Sequence, residues 1–128
     1  MRSPGERERV LQEVARLFND KLYFECHDLL EDAWSETRGE ERSFLHALIQ
    51  VAVGMVHVAN ANHQGAVNLL SRGIEALASF APERDGLDVD ALLGDVAVCL
   101  KKSQQALEGE PADWRAEDVP ILRFVAVE

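Results

Sequence analysis

Residues 44–61, FLHALIQVAVGMVHVANA, decide how this chain folds. At about 100° per residue, Phe44, Leu45, Leu48, Ile49, Val51, Ala52, Val53, Met55, Val56 and Val58 cover most of a helical circumference. That is the pattern of a helix enclosed by other elements. It is too apolar for a surface helix and too interrupted by His and Gln for a membrane span. One narrow stripe breaks the pattern: Ser43, His46, Gln50, Gly54, His57 and Ala61 fall within about 40° of one line on the helical period. The stripe must meet water or polar partners, and a site in this protein belongs along it.

The flanking sequence supplies the enclosing elements. Upstream, Val10, Val14, Leu17 and Phe18 recur at helical spacing within Glu6 to Phe18, with Glu6 and Glu8 in the first turn where the helix dipole favours acids. Asn19-Asp20-Lys21 is a short polar break, and a second amphipathic pattern runs from Leu22 to about Thr37, so the two should form a helical hairpin. Gly39 reads as the stop of the second helix, and Glu40 and Glu41 open the third, central one. Downstream, Asn60-Ala61-Asn62-His63 is a break in which Asn62 is suited to cap a fourth helix with Ala66, Leu69, Leu70, Ile74, Leu77 and Ala78 on its apolar face. Gly65, in the first turn, permits close backbone approach. APERDG, residues 81–86, reads as a loop. A fifth helix extends from about Asp88 to Leu107, and Gly109-Glu110-Pro111 ends it. No strand alternation appears before the tail, residues 112–128, where Pro120 argues against a helix. The expectation is all-α: a single domain, residues 1–128, built as an up-and-down bundle of about five helices with a buried central helix and a non-helical C-terminal tail.

Composition narrows the function. The chain has 128 residues, 47% hydrophobic and 28% charged, with 23 acidic against 13 basic side chains and a formal charge of -10. No basic cluster is dense enough to track a phosphate backbone, so nucleic acid is disfavoured as a partner. No apolar run of about 18 residues escapes polar interruption, and Met1 to Pro4 opens into charges rather than a signal core. A cytoplasmic protein with no membrane partner is expected. Cys26 and Cys99 lie far apart outside any CxxC pair and read as small core residues.

The second helix mixes its faces. On its wheel His27 lies between Trp34, Tyr23 and Leu30 on one side and Glu31 and Phe24 on the other, which places His27 and Glu31 on the buried arc. Glu25, Asp28, Asp32 and Glu36 fall on the far, solvated side. An imidazole and a carboxylate four residues apart can share a hydrogen bond or a ligand. The central helix, packed against this one, offers His46, Gln50 and His57. The candidate ligand-binding cluster is therefore His27, Glu31, Gln50 and His57, a pocket for a small polar ligand or a divalent metal. For a metal the donors would be His27, Glu31 and His57, since Gln50 is a poor ligand. The plainer alternatives are an internal hydrogen-bond network and a solvent-facing stripe. No GxSxG, phosphate loop, HExxH or dinucleotide fingerprint occurs, and no cofactor is indicated.

The order Phe18 with Tyr23-Phe24-Glu25, then His27, Leu30-Glu31 and Trp34, then Leu48-Ile49-Gln50, His57 and Asn62-x-x-Gly65-Ala66 with Leu69-Leu70, resembles the domain-of-unknown-function family three-hundred-nine. The resemblance spans roughly Leu11 to Leu77. It implies an all-α bundle and no established reaction, so it transfers no catalytic residue. Cys26 stands where the family commonly has a small residue such as Ala, and the acidic C-terminal part is longer. Three functions fit the residues: a ligand or partner site at the polar cluster, a metal-dependent hydrolase using His27, Glu31 and His57, and a module that presents a helical groove to peptides. The apolar tail, with Ile121, Leu122, Phe124 and Val125, must dock on its own bundle or on a second copy, and the homodimer is the favoured form.

Overall fold

The computed structural model describes residues 3–110 and 113–125. Met1, Arg2, Pro111, Ala112 and residues 126–128, which entered the reading of the start, the fifth helix's stop and the tail, lie outside the described residues. The architecture is the expected all-α bundle. Five helices stand among the described residues: α1 Pro4–Asn19, α2 Tyr23–Ser35, α3 Gly39–Ala59, α4 His63–Leu77 and α5 Val89–Leu107.

Local chemistry sets the helix ends. Ser3 caps α1 by accepting from the Glu6 amide at 3.3 Å, with Pro4 at the first helical position, where its missing N–H costs nothing. Lys21, at φ 64, reverses the chain between α1 and α2. Gly39, at φ 70, is the first residue of α3 and not the stop of α2, which ends at Ser35 with Glu36 as its cap. Asn62 caps α4 as expected, its Oδ1 accepting from the Gly65 amide at 3.1 Å. Asp88 does the same for α5 from the Ala91 amide at 3.0 Å.

The central helix is α3, packed most widely on α4 and α2, while α4 also packs on α5. Phe44, Leu45, Ala47, Leu48, Ile49, Val51, Ala52, Gly54 and Met55 are all buried. By length and mean hydropathy, 1.3, α3 would suit a membrane, and half of it is buried here between its neighbours, as for a core helix. Contacts along α3 and α4 descend one helix as they climb the other: His57 beside Gly65, Gly54 beside Leu70, Val51 beside Gly73 and, in the 3-10 turn Ala78–Phe80 that follows α4, Phe80 beside Phe44. The two helices are antiparallel, and the glycines let their backbones come close.

The 81–86 segment holds more than a loop. Glu83–Arg84 and Leu87–Asp88 form a two-strand antiparallel hairpin, β1 and β2, turned by Asp85 and Gly86 at φ 52 and 85. Two successive positive φ values are what a tight hairpin turn of this hand requires. Strands of two residues are too short to show alternation. The tail adds to this hairpin: Leu87 bridges Phe124, the Asp88 amide donates to the Arg123 carbonyl at 2.8 Å and the Val125 amide to the Gly86 carbonyl at 2.7 Å. Asn19, at the end of α1, grips Leu122 from both sides, donating to its carbonyl at 3.0 Å and accepting from its amide at 2.8 Å. The described tail thus docks on its own chain.

Both cysteines are core residues, at 0% exposure, donating to the Val14 and Asp118 carbonyls respectively. Burial pushes both thiols up to about 12, and the Tyr23 phenol to about 12 as well. A thiolate is the reactive form, so a disulfide reagent at neutral pH should leave both cysteines unmodified in the folded protein and label both once it is denatured. Each of these groups has a folded value raised above its unfolded one. Their contribution to stability is therefore complete below the ordinary values of 9.0 and 10.0 and is lost as pH rises toward 12. Chemical denaturation at a series of alkaline pH values should show stability falling across that window.

Candidate functional site

The four candidate residues do not converge. His27 is partly exposed on α2, its Nε2 3.0 Å from Glu31 Oε1 and its Nδ1 3.4 Å from Asp28 Oδ1. The Glu31 side chain is 55% exposed. The expectation that both lie in the buried arc fails for Glu31. The buried stripe of α2 is Tyr23, Cys26, Leu30 and Ala33, and Phe24, which helped to mark the other side as apolar, is itself 60% exposed. His57 sits at the far end of α3 with its ring against the Gly65 backbone, and Asn62 Nδ2 donates to His57 Nδ1 across 3.2 Å. Among the described residues, no hydrogen bond joins His27 or Glu31 to Gln50 or His57, and no group of three or more His, Cys, Asp or Glu could hold a metal. Of the three metal donors proposed from sequence, His27 and Glu31 pair with each other and His57 pairs with Asn62.

Gln50 is the exception in chemistry if not in position. Its Oε1 is buried with no hydrogen-bond partner among the described residues. An unsatisfied buried carbonyl of this kind costs about 1–3 kcal/mol, and a bound water is the simplest group to relieve it. Glu31 has no such role. With its carboxylate open to water and paired with a single imidazole, Glu31→Ala should change stability by less than about 0.5 kcal/mol in a denaturant titration.

The polar stripe of α3 has two fates. At Gly54 it is covered, because the missing side chain admits Leu70 of α4. Towards the start of the helix it opens. There Trp34, Arg42, Ser43, His46, Ala76, Ser79 and Phe80 line a groove of about 470 Å³ between the end of α2, the start of α3 and the end of α4. Arg42 is its organising residue. Its guanidinium carbon lies 3.7 Å from the centre of the Trp34 ring, and Nη1 donates to the carbonyls of Trp34 at 3.4 Å and Thr37 at 3.3 Å. Those carbonyls belong to the last turn of α2 and the turn after it, so Arg42 caps that helix end with charge of the favourable sign. His46 follows one turn later, its ring 6.1 Å from that of Trp34. The sequence contained part of the signal for this constellation, an Arg four residues before the His46 of the stripe, but not the pairing with Trp34 that gives it shape.

The comparisons with known proteins bear on the same helices. The uncharacterized protein YpuF of Bacillus subtilis (strain 168) is 38% identical over 74 residues, which are 56% of this chain and 42% of that protein. The chain thus spans less than half the length of this relative. Residues 11–69 match the family model described as Domain of unknown function (DUF309). The match takes in His27, Glu31, Trp34, Arg42, His46, Gln50 and His57 and stops short of the end of α4 and the tail. The likeness of this chain to the domain-of-unknown-function family DUF309 thus lies over residues 11–69.

Proposed function

We propose that this protein is a binding module that takes a polar ligand or partner in the groove between the ends of α2 and α4, floored by the start of α3. The observation that carries the reading is Arg42, a cation stacked on Trp34 at the mouth of a groove of about 470 Å³, in a chain whose formal charge is -10. A cationic and aromatic concavity of this size suits recognition of one small group. The hydrolase alternative has no geometric support, since His27 and Glu31 pair with each other and His57 with Asn62.

The test is a groove-filling variant. Fragments that raise the melting temperature of the wild-type protein should lose that effect in Ala76→Trp, whose own melting temperature should stay near that of the wild type. Fragments that stabilise both proteins equally would overturn the assignment.

The proposal retains the cytoplasmic homodimer expected from the sequence. Ile121 and Phe124, each 39% exposed, leave an apolar edge on the docked tail that supports pairing with a second copy. Light scattering at micromolar concentration should give the mass of a dimer, and a monomer mass would remove this part of the proposal.

A further inference from the structure

Accepting the groove as a binding site, we propose that its ligand is a monocarboxylate carried on an apolar body of about the size of an aromatic ring. The argument starts from the hydrogen-bond donors. Ser79 Oγ already donates to the Ala76 carbonyl at 3.1 Å, and Ser43 Oγ faces the Gly39 carbonyl at 3.5 Å. The donors left for an anion are those of Arg42 and His46 and the indole N–H of Trp34. Nη1 of Arg42 is held by two backbone carbonyls, whereas Nε and Nη2 have no hydrogen-bond partner among the described residues. No carboxylate of the described residues forms an ion pair with Arg42, in contrast to Arg84, which meets Glu40 and Asp85. One edge of a planar guanidinium, fixed by a tryptophan face beneath it, is preorganised for two parallel bonds to a carboxylate.

The rest of the groove limits what the carboxylate is attached to. Ala76 and Phe80 are apolar walls, and the Phe80 ring is buttressed by Phe44 at 5.2 Å. Beyond them the surface continues into a second groove that shares Ser43, Ser79 and Phe80 and adds Glu40, Glu83 and Arg84, whose Nη1 lies 3.4 Å from Glu40 Oε2. Two carboxylates outnumber the one guanidinium there, so a second negative charge on the ligand would meet a lining of net negative charge. A phosphate ester, doubly charged above its second ionisation near pH 6, is disfavoured for the same reason. The geometry therefore selects a single charge with an apolar body behind it.

Three probes on the full-length protein test this, followed by amide NMR at mildly alkaline pH: phenylacetate, the neutral 2-phenylethanol and the doubly charged phenyl phosphate. Phenylacetate should move the amides of Arg42, Ser43, His46 and Ser79 and bind about tenfold more tightly than the alcohol, with phenyl phosphate no tighter than phenylacetate. Arg42→Gln should erase the preference for phenylacetate. If that variant fails to fold for want of its cap on α2, Arg42→Lys carries the test: charge without the planar fork should weaken phenylacetate binding and leave the alcohol unchanged. Equal binding of acid and alcohol, or phenylacetate binding indifferent to both Arg42 variants, would overturn the carboxylate while the same moving amides left the groove assignment standing. Tighter binding of phenyl phosphate would overturn the single charge. Silence from all three probes would overturn the inference as a whole, and the Ala76→Trp experiment, which uses other fragments, would still decide the groove by itself.

Discussion

Gly54→Ala should lower the unfolding free energy by about 2 kcal/mol, although alanine is the better helix former by about 1 kcal/mol. A Cβ at this position would lie 2.5 Å from Leu70 Cδ2, 2.9 Å from its Cγ and 3.3 Å from its backbone nitrogen. Leu70 is fully buried, so its side chain has no free volume to turn into, and the nearby nitrogen means that the helices themselves must part. Leu70→Ala alone should cost about 2–5 kcal/mol through the cavity it leaves. The double variant should cost less than the sum, because each change makes room for or fills the other. Additive losses in a denaturant cycle would mean that Gly54 and Leu70 are not the point where α3 and α4 cross.

Removing the chain from Pro120 onward should be at least as damaging, with an expected loss of about 3–5 kcal/mol. The cut strips the buried Pro120 and Leu122 from the core, a change comparable to a large-to-small core substitution. It also removes both bonds to Asn19 and the strand bonds to Gly86 and Asp88, each worth about 1 kcal/mol net. Asn19→Ala should reproduce a smaller part of this, about 1–2 kcal/mol, because it frees the Leu122 backbone and leaves the side chain in place. A truncated protein that melts with the full-length one would show that the tail is not part of the fold.

The helices were legible because their signals are local. Apolar spacing in α3, the Asn62 cap and the small Gly65 beside a close neighbour each depend on residues within one or two turns. Element ends moved by only a few residues for the same reason. What depended on tertiary placement was less legible. The wheel of α2 treated Phe24 as evidence of burial, and that drew Glu31 into the core on paper; in the folded chain Phe24 is the most exposed of its large apolar side chains among the described residues. Gly54 shared a line with His46 and Gln50 and was read with them, yet its function is to have no side chain. The Asp85-Gly86 pair carried a hairpin signal, but strands of two residues gave no pattern to confirm it. The partnership of Trp34 with Arg42 crosses a turn, and no periodicity within one helix encodes it.

The claim that the groove at the start of α3 is the functional surface is tested most directly by mapping where small molecules land. Amide NMR of the labelled full-length protein against a fragment library should show perturbations concentrated at Trp34, Arg42, Ser43, His46, Ser79 and Phe80. Perturbations concentrated instead around His27, Glu31 and His57, or in the separate groove beside His63 and Trp114, would contradict it.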